Sequence, residues 1–374
     1  MFRFRTLLFA AATLLAAAPQ AFADTQPSPR SIIAEARKIV SPNGVEELKP
    51  ITIGGIQQWI SVRGRDRRNP ILLVLHGGPG SPTMPVAYTF QSPWEDYFTV
   101  VEWDQRGAGK TYASNDPKAL ASTMTVEQMT RDAEEMVQYL RKTYGKQKIF
   151  VLGHSWGSLL GMNLAQRHPE WLYAYIGVGQ IVNSHKSEAE GYDFVLAQAR
   201  EHGNKEAEKE LLALAPYPGD KPLTFERIGV QRKWLNFYGG LTFGRKDYNY
   251  AANTEYLSPD YTDKEVNSID AGGLYSLTHL LGPMLAANFD NVTELHCPVI
   301  IFDGRHDYAV SHTLAASWFA ALKAPSKKLI WFDDASHMMM EEQPGRFLVH
   351  LVDDVRPIAV AAGDAAPDET VESH

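Results

Sequence analysis

Residues 148–158 read Lys-Ile-Phe-Val-Leu-Gly153-His154-Ser155-Trp156-Gly157-Ser158. The apolar run Lys148 to Leu152 predicts a buried strand, and the stretch Ser158 to His168, closed by Pro169, predicts a helix. Between them lies Gly-x-Ser-x-Gly. A serine placed on a tight strand-to-helix turn is lifted clear of the sheet, and small residues two positions away on either side avoid clashes at that turn. The following helix directs its first amides and its dipole toward charge that develops at the serine.

The rest of the chain repeats the same rhythm. Short apolar runs at Ile71 to Leu75, Thr99 to Trp103, Tyr173 to Val178, Val299 to Phe302 and Lys328 to Phe332 are bounded by turn residues and predict further buried parallel strands. Val126 to Tyr144 has a helical pattern, and Gly145 stands at its stop. Strand and helix in alternation predict a mostly parallel, doubly wound α/β sheet. Ile51 to Ile53 and Gln57 to Val62 form a hairpin pattern around Gly54-Gly55, adding antiparallel strands at one edge. Parallel-strand signals vanish between about Val182 and Ala287, which predicts an inserted helical cap. The expected organisation is therefore a first core part at 24–181, a cap at 182–290, a second core part at 291–358 and a disordered tail at 359–374. No internal repeat is present.

The first 23 residues carry Arg3 and Arg5, the apolar run Leu7 to Ala18 and a small-x-small site at Ala21-Phe22-Ala23. This is the layout of a cleaved signal peptide, and it predicts a periplasmic or secreted protein with no stable membrane insertion after cleavage. Cleavage would remove two positive charges and take the formal charge from −8 to −10. No basic patch suits nucleic acid. The single cysteine, Cys297, allows no intramolecular disulfide and is expected to be a buried small hydrophobe. No Cys/His cluster has zinc-ligand spacing, and His-Glu-x-x-His is absent. Gly109-Lys110-Thr111 ends like a phosphate loop, but position 104 is Asp where that loop needs Gly. No metal, nucleotide or organic cofactor is implied.

A serine hydroxyl needs a base, and the base needs a carboxylate to orient it. On α/β-hydrolase sheets they follow the nucleophile in the order Asp, then His. Asp307, in Gly304-Arg305-His306-Asp307, lies in a loop past the strand Val299 to Phe302, with Asp303 as its competitor. His337 follows the last strand, with His306 and His312 as rivals. Both rivals precede that strand. An oxyanion hole is expected from the amide of Trp156 and from the loop His76-Gly77-Gly78-Pro79-Gly80, at Gly78 with Gly77 as the alternative. His76 itself is expected to hold that loop by hydrogen bonding.

Together His76-Gly-Gly-Pro-Gly80, Trp103-Asp-Gln-Arg-Gly-Ala-Gly-Lys-Thr111 and Gly153-His-Ser-Trp-Gly-Ser158 resemble the prolyl aminopeptidase branch of the α/β-hydrolases, over about Ile51 to Val352. The resemblance implies a cap over a Ser-Asp-His triad and release of an N-terminal residue, often proline, from short peptides. Two departures stand out. Position 154 is His where the family has Gly, and Trp234-Leu-Asn-Phe237-Tyr238 has Tyr where the family carries an amine-reading Glu. Either another cap acid such as Glu188 or Glu190 then substitutes or the substrate carries no amine there, and Trp234, Phe237 and Tyr238 either line an apolar pocket or pack within the cap. The alternatives are a carboxylesterase or lactone hydrolase, and a non-catalytic binding protein on the same fold. The expected partner is a short peptide or another small molecule.

Overall fold

The computed structural model describes residues 26–219 and 223–367. The signal-peptide reading of residues 1–23 falls outside them. Eight strands form one sheet: β1 (Val45–Ile53), β2 (Ile56–Gly64), β3 (Ile71–Leu75), β4 (Thr99–Asp104), β5 (Ile149–His154), β6 (Leu172–Val178), β7 (Val299–Gly304) and β8 (Lys327–Phe332), in the order β1-β2-β4-β3-β5-β6-β7-β8. β1, β2 and β4 pair antiparallel, and every other neighbouring pair is parallel. The β1–β2 turn is two residues long, and Gly54 and Gly55 both take positive φ, 55° and 76°, as such a hairpin requires.

All residues of β3 to β7 are buried, because helices cover both faces of the sheet. Alternation along each strand divides the core in two. Leu73, Val151 and Ile301 pack on one face with the helices Val126–Tyr144, Trp156–Arg167 and His312–Ala321. Leu72, Val74, Leu152 and Phe302 pack on the other with Trp94 and Phe347. β8 is an edge strand, and its first two lysines are exposed, which blunts the edge. Cys297 is a free thiol buried in the first of these cores. Helix Val126–Tyr144 starts on Thr125, whose side chain accepts from the Gln128 N–H, and ends on Gly145 at φ 67°.

Between β6 and β7 the described chain adds no strand to the sheet and is mostly helical. The excursion leaves and returns through a narrow neck. Asn183 and Asn288 pair antiparallel, and the Phe289 N–H donates to the Val182 carbonyl at 2.6 Å. The inserted helices have a core of their own, around Tyr192, Val195, Leu211, Trp234 and Leu235. They are pinned to the sheet by the loop after β4. There Tyr261 hydroxyl donates to Asp104, Lys110 Nζ pairs with Glu265 at 2.7 Å, and Ser276 hydroxyl donates to the Gly107 carbonyl at 2.9 Å. The same loop sends Arg106 inward to a bidentate pair with Asp132, at 2.8 and 3.1 Å, and to the Gly54 carbonyl at 2.9 Å.

The expectation of a disordered tail from 359 is corrected for residues 359–367. A helix runs through Arg356–Ala361, Ala359 is buried, and the Asp364 carboxylate is held by Lys146 and by the Tyr173 hydroxyl. The Ala-rich composition reads as unstructured only because the partners of Asp364 lie far away in sequence. Among the described residues no helix is long and apolar enough to cross a membrane.

Candidate active site

Ser155 has φ 53° and ψ −119°, and it is the one non-glycine residue with positive φ among the described residues. Such a conformation costs on the order of 1–3 kcal/mol and persists only where the surroundings enforce it. Here the flanking glycines make the turn possible. A Cβ on Gly157 would lie 1.9 Å from the Leu75 carbonyl oxygen, and one on Gly153 would lie 2.4 Å from the Gly157 oxygen. The Ser155 N–H donates to the Val178 carbonyl at 2.9 Å, and its own carbonyl accepts from Ser158 N–H and hydroxyl at 2.8 and 2.6 Å. Backbone and neighbours thus fix the turn, and the hydroxyl is left to the cavity in front of it.

His337 and Asp307 come together across two loops at the same edge of the sheet. His337 Nδ1 is 2.7 Å from Asp307 Oδ2, and Asp307 Oδ1 accepts the Ala309 and Val310 N–H groups, each at 2.9 Å. Asp307 is wholly buried, and a Cβ on Gly179 would meet the His337 ring at 2.8 Å, so the pair is packed from behind. Asp303 is also buried, but its carboxyl has no hydrogen-bond partner among the described residues. Burial and the nearby Asp307 charge push it well above the usual carboxylate range. His306 is exposed and packs against the Phe243 ring at a 34° tilt, and His312 Nδ1 lies 2.8 Å from the Asp307 carbonyl oxygen. Neither rival reaches the Asp307 carboxylate.

The loop after β3 borders the same space. Gly78 takes φ 109°, and a Cβ there would lie 2.6 Å from the Gly80 and Ser81 nitrogens. His76 Nε2 accepts the Gln105 N–H at 3.2 Å, so its Nδ1 carries the proton and donates to the Gly77 carbonyl at 2.8 Å. Burial pushes the His76 imidazole down to about 4, and it remains neutral. Trp156 opens the helix after Ser155 with its side chain fully buried and its indole donating to Gln105 at 3.1 Å. The N–H groups of Gly78 and Trp156 meet no acceptor among the described residues.

These groups face a cavity of about 650 Å³ lined by Gly77, Gly78, Ser155 and His337, a size suited to a small ligand. Of the cap residues anticipated from the sequence, Glu188 lines it, but this carboxylate is already engaged. It takes the Tyr217 hydroxyl at 2.7 Å and both terminal nitrogens of Arg232. The other cap assignments are corrected. Glu190 binds the Ser311 and Thr313 hydroxyls and is not among the lining residues. Phe237 meets Trp234 and Tyr238 edge-to-face in the cap core, with the Trp234 indole donating to Glu210, and none of the three reaches the cavity. The helix Phe225–Phe237 presents these aromatics to its neighbours in the cap, and only Arg232 of that helix faces the site.

Sequence reasoning missed the cavity's other charged groups. Glu255, Asp270 and Glu341 line it, and none has a Lys or Arg within ion-pair distance among the described residues. Burial, then the Asp270 charge, pushes Glu255 up to about 7. Burial likewise pushes Glu341 up to about 7, against a hydrogen bond from Tyr248 at 2.7 Å. Glu341 Oε2 is buried without a partner. One signal was available, since Glu341 follows His337 by four residues in His-Met-Met-Met-Glu. Glu255 and Asp270 carry no comparable mark.

The elbow, the paired imidazole and carboxylate, and the glycine loop at one edge of a mostly parallel sheet define an α/β-hydrolase architecture. The sequence matches the family described as alpha/beta hydrolase fold over residues 70–344, and the chain belongs to that family. It is 29% identical over 306 residues to a Bacillus subtilis (strain 168) protein named "Probable aminopeptidase YbaC", covering 80% of this chain and 93% of that one. It is 25% identical over 319 residues to the proline iminopeptidase of Neisseria gonorrhoeae, covering 76% and 88%. Among solved structures, the proline iminopeptidase of Mycobacterium smegmatis superposes with a TM-score of 0.61 at 18% identity, covering 84% of this chain and all of that one. That last likeness is one of fold alone.

Proposed function

We propose that the protein is a serine aminopeptidase that releases an N-terminal residue from short peptides through an acyl-enzyme. Ser155 attacks the carbonyl, His337 takes its proton and returns it to the leaving amine, and Asp307 holds the imidazole with Nε2 toward the serine. The amides of Trp156 and Gly78 stabilise the oxyanion. The observation that carries the choice of a peptide with a free amine is the charge of the cavity. Once Glu188 and Arg232 cancel, Glu255, Asp270 and Glu341 remain without a cation, and a substrate ammonium supplies one. The names of the relatives support the same reading.

A second reading, an ester or lactone hydrolase, is favoured by one observation. The cap acid Glu188 is consumed by Arg232, and much of the cavity wall is apolar, with Ile181, Val182, Leu277, Met338 and Met340. The test is hydrolysis of a free-amine proline arylamide against its N-acylated form and a short-chain aryl ester, with Ser155→Ala as control. Turnover confined to the free amine supports the aminopeptidase; turnover confined to the ester replaces it.

The acidic wall makes a pH prediction. Glu255 and Glu341, both near 7, are protonated below that pH, so the cavity loses negative charge as pH falls from 8 to 6. kcat/KM for the free-amine substrate should therefore fall more steeply on the acid side than for a neutral ester. Glu341→Gln keeps the acceptor for Tyr248 and removes the charge. It should raise KM for the amine substrate by about tenfold, on the scale of one lost charge-assisted contact, and leave ester hydrolysis within about twofold. Equal effects on the two substrates would remove Glu341 from amine recognition.

Residues 1–23 carry the signal-peptide layout, and we read the mature protein as periplasmic or secreted. Mass spectrometry of the protein expressed in a Gram-negative host should find an N-terminus at Asp24 in the exported fraction; an intact N-terminus in the cytoplasm would sink that reading.

A further inference from the structure

A second imidazole stands against His337. His154, the residue immediately before Ser155, is buried and lines the cavity. Its Nε2 lies 3.0 Å from the carbonyl oxygen of His337, and the two rings are tilted at 38° with centroids 4.8 Å apart. A carbonyl oxygen only accepts, so His154 Nε2 carries the hydrogen and Nδ1, in the neutral ring, does not. Burial, reinforced by the neighbouring His337, pushes the His154 imidazole down to about 3. His154 is therefore a neutral donor at neutral pH, and it adds no charge beside the site.

His337 lies in the irregular loop after β8 and is held at three points. Asp307 takes its Nδ1, the Leu241 carbonyl takes its N–H at 3.0 Å, and His154 donates to its carbonyl. The first is a ring contact and the second comes from the cap. Only the third ties the main chain of His337 to the residue bonded to Ser155. It links the backbone of His337 to the segment that carries Ser155 without passing through the cap.

We propose that His154 is a positioning residue for proton transfer between Ser155 and His337, acting through its Nε2–H on the His337 carbonyl. The proposal rests on the acyl-enzyme reading above, though not on the identity of the substrate. A displacement of about 1 Å at such a pair costs on the order of 100-fold in rate, so the anchor is worth a measurable part of the chemistry.

The test uses an alkyl fluorophosphonate, whose reaction needs only the activated serine. The Ser155 Oγ–P bond forms, the P–F bond breaks with loss of fluoride, and the serine proton passes to His337. His154→Phe keeps a ring and loses the donor. His154→Asn places its amide at the Nδ1 position, short of the carbonyl, and His154→Gln returns an N–H to the Nε2 position. Labelling rate, and kcat on whichever substrate is turned over, should fall about 10- to 100-fold in the Phe and Asn variants with KM within about twofold, and Gln should recover to within about threefold of the parent. Thermal midpoints should not follow that order. Phe and Asn variants that label within twofold of the parent, or a Gln variant as slow as Phe, would overturn the proposal while leaving the acyl-enzyme intact. Should Phe fail to fold, the Asn and Gln comparison decides alone. A parent protein that is not labelled at all removes the acyl-enzyme reading and this proposal with it.

Discussion

Asp307→Asn is expected to lower kcat by about 10⁴-fold at neutral pH while leaving the fold intact, the scale seen when an orienting carboxylate of this kind becomes an amide. The geometry explains why the exchange is so severe. Oδ1 of Asp307 accepts two main-chain N–H groups, from Ala309 and Val310. An asparagine must keep its oxygen there, so its NH₂ replaces Oδ2 and faces His337 Nδ1. A donor at that place forces Nδ1 to accept and moves the imidazole proton to Nε2, the atom that must take the serine proton. Steady-state kinetics with thermal unfolding as a control checks this. An Asp307→Asn variant with more than about a tenth of the parent kcat would mean that Asp307 does not set the tautomer.

The largest stability effect is expected at the pair Arg106 and Asp132, 1% and 0% exposed. Removing one partner strands the other charge in the core, which costs about 3–5 kcal/mol. Asp132 also accepts from Gln58 at 2.8 Å and Gln128 at 2.7 Å, and Arg106 spans to the Thr123 hydroxyl at 3.0 Å, so the loss spreads through a network. Asp132→Ala and Arg106→Ala should each lower the unfolding free energy, measured by denaturant titration, by that amount. The double variant Arg106→Ala with Asp132→Ala should be less damaging than the two single changes combined, because no buried charge is left over. Strict additivity would indicate that the two side chains act separately. Arg106 also supports the hairpin through Gly54, where a Cβ would lie 2.0 Å from Asp132 Oδ1.

The fold was legible where local physics is strong. Continuous apolar runs bounded by turn residues marked β3 to β7 within one or two residues of their observed ends, because strands buried on both faces have few alternatives to such a composition. The serine turn was legible because its steric demand falls on two residues of the same segment, Gly153 and Gly157. The cavity wall was not. The facing of Trp234 and Arg232 depends on how the helix Phe225–Phe237 sits among its neighbours, and its sequence has no one-sided apolar pattern to mark either face. Glu188 could be picked out as a cap acid, but its neutralisation by Arg232 spans 44 positions and leaves no local trace. The Trp103–Thr111 motif served in the sequence as a mark of kinship. In the structure it is what fastens the cap, through Asp104, Gly107 and Lys110.

The neck at Asn183 and Asn288 bears on how such a chain assembles and diversifies. β6 and β7 are neighbours in the sheet, yet residues 179–298 intervene between them. Closing a flexible loop of that length carries an entropic penalty that grows with the logarithm of its length. A cap that collapses around its own core and joins its two ends at the neck presents the sheet with a short, stiff connection instead. Residues 184–287 can then be exchanged at the neck wherever the replacement keeps partners for β4 and the loop after it, as Tyr261, Glu265 and Ser276 do here: such an exchange replaces the charged groups that face Ser155 from the cap while sparing the strands that hold the serine.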